Sequence, residues 1–242
     1  MKDTVRGQVV TISTGLVPYG HGGWRIGPLV RYALDVCGAA SPRVCVMSTA
    51  GGDNPADYLR MLGAFERTGV IASHLSLFPM PNVPDPRELL LDQDLILVGG
   101  GSVANMLAVW RVHGLDTILR EAWERGIVLS GASAGAICWF AGGTTDSFGP
   151  DLRLFDRGIG LLPHSYCPHY DTEEQRRTAY QRFVAAGALP AGWAADDGVA
   201  LHFVGGELVD VVADRESVYA WRVEREGAGA TETMLEPRRL SG

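Results

Sequence analysis

Ile127-Val128-Leu129-Ser130-Gly131-Ala132-Ser133-Ala134-Gly135-Ala136-Ile137 reads as a buried strand that enters a Gly-x-Ser-x-Gly turn and leaves it as a helix. In that order the three parts make a nucleophile elbow. The turn is too sharp for branched neighbours, so small residues flank the serine. It holds Ser133 in a strained conformation with its hydroxyl above the sheet. The helix that follows points its first amides at the same spot, which favours developing negative charge. Small residues can also serve merely to let a strand and a helix pack closely. The strand before the turn and the helix after it favour the elbow.

Outward from this turn the chain alternates strand-like and helix-like runs. Val9-Val10-Thr11-Ile12 reads as a first buried strand, and residues 28–36 as a helix. Arg43-Val44-Cys45-Val46-Met47 is a second strand, ending in Ser48-Thr49-Ala50-Gly51-Gly52. Asp53 or Asn54 then caps a helix that carries Tyr58, Leu59, Leu62 and Phe65 at helical spacing. A strand is expected at 74–78 and another at 94–98, running into Gly99-Gly100-Gly101. Ser102 caps a helix through Trp110, and residues 115–125 form the next. The expected fold is α/β: a doubly wound, mostly parallel sheet, with ligands at the C-terminal ends of its strands. From about Trp193 the pattern changes. Residues 199–204, 207–212 and 217–223 read as short strands of an antiparallel extension at one edge. Residues 1–223 are expected to form a single α/β domain, and residues 224–242 a polar C-terminal tail.

Bulk properties narrow the function classes. The 242 residues suffice for a sizeable core, with 46% hydrophobic and 20% charged residues. A net charge of -7 argues against nucleic-acid and membrane-surface partners, which call for basic patches. Cys37, Cys45, Cys138 and Cys167 are scattered with no CxxC pair, so neither a disulfide framework nor a zinc site is expected. No signal peptide and no apolar run of membrane-spanning length is evident. These features fit a cytoplasmic enzyme with reduced thiols.

A serine hydroxyl needs a base, most often histidine. Of the six histidines, His169 lies in Ser165-Tyr166-Cys167-Pro168-His169-Tyr170-Asp171, after a strand end. Pro168 keeps Cys167 extended, as in a loop that presents an imidazole to the active edge. His164 is its nearest competitor, while His113 suits a helix C-terminus. The third member should be a carboxylate that orients the imidazole. Asp146, in Gly143-Thr144-Thr145-Asp146-Ser147, is a candidate with Asp151, Asp156 and Asp171, although a turn-capping role suits Asp146 equally. An oxyanion hole needs two amide donors. Ala134 supplies one and the 99–101 turn suits the other. That turn lacks the lysine of a P-loop and the spacing of a dinucleotide fingerprint.

Val98-Gly99-Gly100-Gly101-Ser102, Gly131-Ala132-Ser133-Ala134-Gly135-Ala136, Thr144-Thr145-Asp146 and Cys167-Pro168-His169-Tyr170 follow one another as in the peptidase E family, which this chain resembles from the first strand to about Val223. That family comprises α-aspartyl dipeptidases and, more distantly, cyanophycinases. The resemblance implies a flavodoxin-like fold related to class I glutamine amidotransferases. A serine takes the place of that superfamily's cysteine nucleophile. It implies Ser133 as nucleophile, His169 as base, Asp146 as acid, and the amides of Gly101 and Ala134 as the oxyanion hole. It also implies a short peptide as substrate, no cofactor, and a possible homodimer.

Two departures matter. The glycine turn continues Ser102-Val103 where the family commonly has Asn-Thr. After the histidine, aspartyl dipeptidases have a longer loop and then Thr-Arg-Glu-Gln-Arg, whose first arginine is expected to pair with the substrate's acidic side chain. Here the match is Thr172-Glu173-Glu174-Gln175-Arg176, with Glu173 at that arginine's position. A carboxylate cannot make the bidentate contact and repels an acidic residue. The expectation is a serine exopeptidase not strictly specific for N-terminal Asp. Glu173, Asp171 and Asp197 are candidates to receive a substrate's amino group. An esterase or other serine hydrolase, or a catalytically silent binding protein on the same scaffold, are the rival readings.

Overall fold

The computed structural model describes residues 7–13 and 15–241. The chain opens with the buried strand Gln8–Ile12 (β1), then a hairpin of Leu16–Tyr19 (β2) and Gly23–Ile26 (β3). Helix Pro28–Cys37 (α1) starts on proline and ends at the left-handed Gly38. Strand Arg43–Met47 (β4) leads to helix Pro55–Ala64 (α2), whose cap is Asn54: its side chain accepts from Ala56 N at 3.0 Å. Strand Ile71–Leu75 (β5), helix Pro86–Leu91 (α3) and strand Leu95–Val98 (β6) follow. Ser102 Oγ accepts from Asn105 N and opens Val103–Val112 (α4), after which comes Leu115–Glu124 (α5). Strand Val128–Ala132 (β7) and the single-turn helix Ala134–Ile137 (α6) flank Ser133.

The second half supplies Phe140–Thr145 (β8), Arg153–Phe155 (β9), Leu162–Cys167 (β10), helix Glu174–Ala185 (α7) and Gly192–Ala195 (β11). It ends with Val199–Val204 (β12), Glu207–Ala213 (β13), Ala220–Glu226 (β14), Gly229–Leu235 (β15) and Arg238–Arg239 (β16).

Two main sheets result. The larger has eight strands in the order β16-β13-β12-β1-β7-β6-β4-β5, and β1, β7, β6, β4 and β5 run parallel. β12 joins β1 antiparallel and β13 joins β12 antiparallel. The other has six strands in the order β15-β14-β11-β10-β8-β9, parallel only among β8, β10 and β11. One apolar cluster joins the sheets. Phe203 of β12 meets the Phe140 ring edge-on at 5.5 Å and lies 6.2 Å from Trp193, while Phe140 stacks on Tyr166 at 4.8 Å.

Three expectations are corrected. A second sheet exists beside the parallel one, and the strands expected as one edge extension are shared out: β12 and β13 to the first sheet, β14 to the second. The polar segment from Glu224 is no loose tail, because β15 pairs along its whole length with β14 and Arg177 of α7 holds Glu232. The strand expected at 74–78 is instead Ile71–Leu75, because the Asp53 carboxylate takes the amides of Leu77 (2.5 Å) and Phe78 (3.3 Å) out of the ladder. No helix among the described residues is long and apolar enough to cross a membrane.

Candidate active site

Ser133 has φ 53° and ψ −114°, a left-handed backbone that a residue with a Cβ adopts only under constraint. The constraint is close packing on both sides. A Cβ at Gly131 would overlap the carbonyl of Gly135, and one at Gly135 would overlap Val98 O. Only glycines let strand β7, helix α6 and the end of β6 approach so closely. The Ser133 backbone carbonyl accepts from Ala136 and Ile137 and seats α6, whose first amide, on Ala134, is an orphan donor of a helix start.

The glycine turn after β6 lies against this serine. A Cβ at Gly100 would stand 3.3 Å from Ser133 Cβ and 4.0 Å from its Oγ. Gly101 has φ +135°, and a Cβ there would overlap Ala50 O, which in turn accepts from Ser102 N at 2.9 Å. Among the described residues no backbone carbonyl accepts from the Gly100 or Gly101 amide. Donors of this kind, fixed in place and unspent, are the ingredients of an anion-stabilising hole.

His169 follows β10 and also has a left-handed φ, 56°. Its Nδ1 lies 2.6 Å from Oδ1 of Asp197, with side-chain exposures of 18% and 20%. The pair is therefore sheltered yet reachable. Asp197 Oδ2 accepts from Thr172 Oγ1 at 3.0 Å. The hydrogen bond with His169 holds the Asp197 carboxyl below its usual range. The Thr172 bond and the Arg215 charge add to this, and burial opposes it.

Strand register ties the Asp197 turn to the level of the serine. Ile12 of β1 is the partner of Ala132 in β7, so Ser13 sits at the same level as Ser133. Ser13 Oγ accepts from Gly198 N at 2.6 Å, and Gly198 follows Asp197. From the other side, α6 packs on β8 and on β10, the strand that leads to His169. The Tyr170 amide is tied to Ala195 O at 3.1 Å, which fixes the histidine loop to the end of β11.

Asp146 is not the partner of His169. It is exposed and lines a groove of about 450 Å³ with Gly149, Pro150, Glu173 and Glu174. Thr145 Oγ1 spans its turn to Ser147 Oγ (2.7 Å), which anchors that turn near Ala104 N. The acid at the imidazole is Asp197, expected from the sequence to receive a substrate's amino group instead. The other two candidates for that role are also engaged within the chain. Glu173 Oε2 accepts from Arg176 Nε at 2.6 Å, and Asp171 Oδ1 accepts from Asp197 N at 2.8 Å. The signal for Asp197 was its place after a strand end in Ala195-Asp196-Asp197-Gly198, but nothing local separates it from Asp196. Asp196 instead takes Tyr219 N and Trp221 Nε1, and burial pushes its carboxyl up.

The cysteines and three of the other histidines are engaged elsewhere. Burial pushes Cys37, Cys45 and Cys167 up to about 12 and Cys138 well above its ordinary value, which leaves thiols rather than thiolates. His74 stacks on Tyr58, His164 packs edge-on against Trp193, and His202 bonds Tyr32 and Gln8.

The family model for Peptidase family S51 matches residues 23–211. An uncharacterized peptidase of Bacillus subtilis (strain 168), YgaJ, is 43% identical over 212 residues, 86% of this chain and 91% of that protein. A peptidase E of Citrobacter koseri is 32% identical over 114 residues, 42% of this chain and 49% of its own length. Among solved structures, a peptidase from an acI-B1 Actinobacterium superposes with a TM-score of 0.68 at 16% identity, covering 97% of this chain and 96% of that one. The last likeness is one of fold.

Proposed function

The chain belongs to peptidase family S51 and is a peptidase, and from that premise we propose that it is a serine exopeptidase that hydrolyses short peptides through an acyl-enzyme, with Ser133, His169 and Asp197 as its triad. The observation that carries this reading is the 2.6 Å contact of His169 Nδ1 with Asp197. Once Nδ1–H is given to a carboxylate, Nε2 is the basic nitrogen and is free to take a hydroxyl proton.

In the reaction, Ser133 Oγ attacks the scissile carbonyl as His169 Nε2 removes its proton. The amides of Gly101 and Ala134 receive the developing oxyanion. His169 then hands the proton to the leaving amine, and the acyl-enzyme ester forms. Water, deprotonated by the same imidazole, releases the acid and regenerates Ser133. Asp197 keeps Nδ1–H in place and stabilises the imidazolium. Its lowered carboxyl supports an ionised partner at neutral pH.

The substrate's N-terminal residue is not restricted to Asp. The position where an arginine would meet an acidic side chain holds Glu173, and the nearby Arg176 is 2% exposed and occupied by Glu173 and Thr144 O.

The test uses purified protein, a dipeptide panel and a fluorophosphonate probe. Wild type should hydrolyse neutral X-Leu dipeptides at least as well as Asp-Leu and should take up the probe. Ser133→Ala should lose labelling and roughly 10⁴-fold or more in turnover. Turnover of Ser133→Ala near the wild-type rate would end the assignment. A strong Asp-Leu preference would end the specificity claim alone.

A further inference from the structure

We infer that Arg215 and Asp171 are positioning residues: together they clamp the peptide unit of Asp197, so that its carboxylate meets His169 in one orientation. This rests on the catalytic reading above and extends it to two residues outside the triad.

Every polar group of Asp197 is engaged. Its amide donates to Asp171 Oδ1 (2.8 Å), and its carbonyl accepts from Arg215 Nη2. One carboxylate oxygen meets His169 Nδ1 and the other accepts from Thr172 Oγ1. The next residue is pinned as well. Gly198 N donates to Ser13 Oγ, and Gly198 O accepts from Asp214 N at 2.9 Å. The clamp thus gathers the end of β1, the histidine loop, and the turn after β13.

Arg215 is the hinge pin of this arrangement. Its Nη2 donates to Asp197 O and stands 3.9 Å from Asp171 Oδ2, so one guanidinium spans both residues. Its positive charge also offsets the crowding of two carboxylates on one loop pair. The chain makes room for it. Gly198 has φ +93°, and a Cβ there would lie 2.7 Å from Asp214 Oδ1 and 2.8 Å from Arg215 Nε. Glycine is required at 198 both by its backbone and by the passage of the arginine.

A helix or strand would hold such an acid by its own ladder. Asp197 instead lies in the short turn between β11 and β12, where only side chains from distant segments can fix it. A triad acid that drifts by about 1 Å costs roughly 10²-fold in rate. The clamp should therefore act on turnover rather than on substrate affinity.

The test is Arg215→Ala, with Arg215→Lys and Asp171→Ala beside it, read by two independent measurements. The first is steady-state kinetics on a neutral dipeptide. Arg215→Ala should lower kcat by about 10²-fold with KM within a few-fold, and Arg215→Lys should restore part of the loss by donating once to Asp197 O. The second is the low-field proton resonance of the Nδ1–H between His169 and Asp197, which needs no turnover. It should be present in wild type and in Ser133→Ala, and weakened or lost in Arg215→Ala and Asp171→Ala. A wild-type low-field signal and wild-type kcat in Arg215→Ala would overturn the inference. If Ser133→Ala proves active, the catalytic reading falls, and the resonance still decides whether Arg215 holds the pair. Should Arg215→Ala not fold, the same two readouts on Arg215→Lys and Asp171→Ala decide the matter. An unchanged signal and kcat in both would overturn it.

Discussion

Asp197 and Asp146 are both acids on turns at the active edge, and what differs is the partner. Asp197 takes the imidazole and a threonine hydroxyl, whereas Asp146 faces an open groove with two glutamates nearby. Asp197→Asn should therefore reduce kcat by roughly 10³–10⁴-fold, since an amide can fix the wrong imidazole tautomer. Asp146→Asn should stay within about tenfold of wild type. Parallel kcat measurements with the order reversed would return the role to Asp146. The lowered carboxyl of Asp197 also fixes a sign for stability. Its ionised form is favoured in the folded state, so its contribution is complete above the unfolded value near 3.9 and is lost as pH falls through the lower, folded value. The urea-unfolding difference between wild type and Asp197→Asn should be level near neutrality and shrink below about pH 4. A difference that grows on acidification contradicts this. Ser133 and His169 stand out as candidates in the sequence because each sits in a short pattern with its own backbone logic, a glycine-flanked turn and an X-Pro approach. Asp197 does not, because an acid is chosen by a contact 28 residues away in sequence, and Asp196 beside it has the same side chain.

At the scale of elements, the parallel strands β1, β4, β6 and β7 announced themselves as apolar runs, as strands buried on both faces do. Strand β8 could not be read in this way. Its sequence, Phe-Ala-Gly-Gly-Thr-Thr, has no alternation, and its glycines are there for close approach: a Cβ at Gly142 would overlap Phe155 O, and one at Gly143 would overlap Tyr166 O. A strand defined by what its neighbours need carries little signal of its own. Helix α7 carries a weak hydrophobic pattern for a related reason. Its face toward the protein includes Arg176, 2% exposed, a residue that a hydrophobic pattern assigns to solvent. The cation is buried because Glu173 and the Thr144 carbonyl receive it. Removing one partner is then unequal to removing the other. Glu173→Ala leaves a buried guanidinium without its counter-ion and should cost about 3 kcal/mol, whereas Arg176→Met leaves a half-exposed glutamate that water can solvate and should cost less. Urea denaturation of the two variants reads the order directly. A milder loss in Glu173→Ala would mean that the Thr144 carbonyl alone satisfies the arginine.

Across the whole molecule, the groups proposed for catalysis come from both sheets. Ser133 rides on the end of β7 in the eight-stranded sheet, while His169 and Asp197 follow β10 and β11 in the six-stranded one. Their meeting therefore depends on how the sheets are held together. Part of that contact is aromatic: Phe203 projects from β12 toward Phe140 and Trp193 of the other sheet. It is 1% exposed, so Phe203→Ala opens a cavity in that contact and should cost about 3–5 kcal/mol. The cavity also loosens one of the contacts that hold the two sheets, and with them Ser133 and His169, in register. Turnover should then fall further than the folded fraction does. At 25 °C, with the variant shown fully folded by circular dichroism, kcat should drop at least tenfold, while a cavity of similar cost away from the inter-sheet seam, such as Leu29→Ala on the buried face of α1, should leave kcat within about threefold. Equal kcat in the two variants at equal folded fraction would show that the sheets keep their spacing without Phe203, and that the site is held by its loops alone.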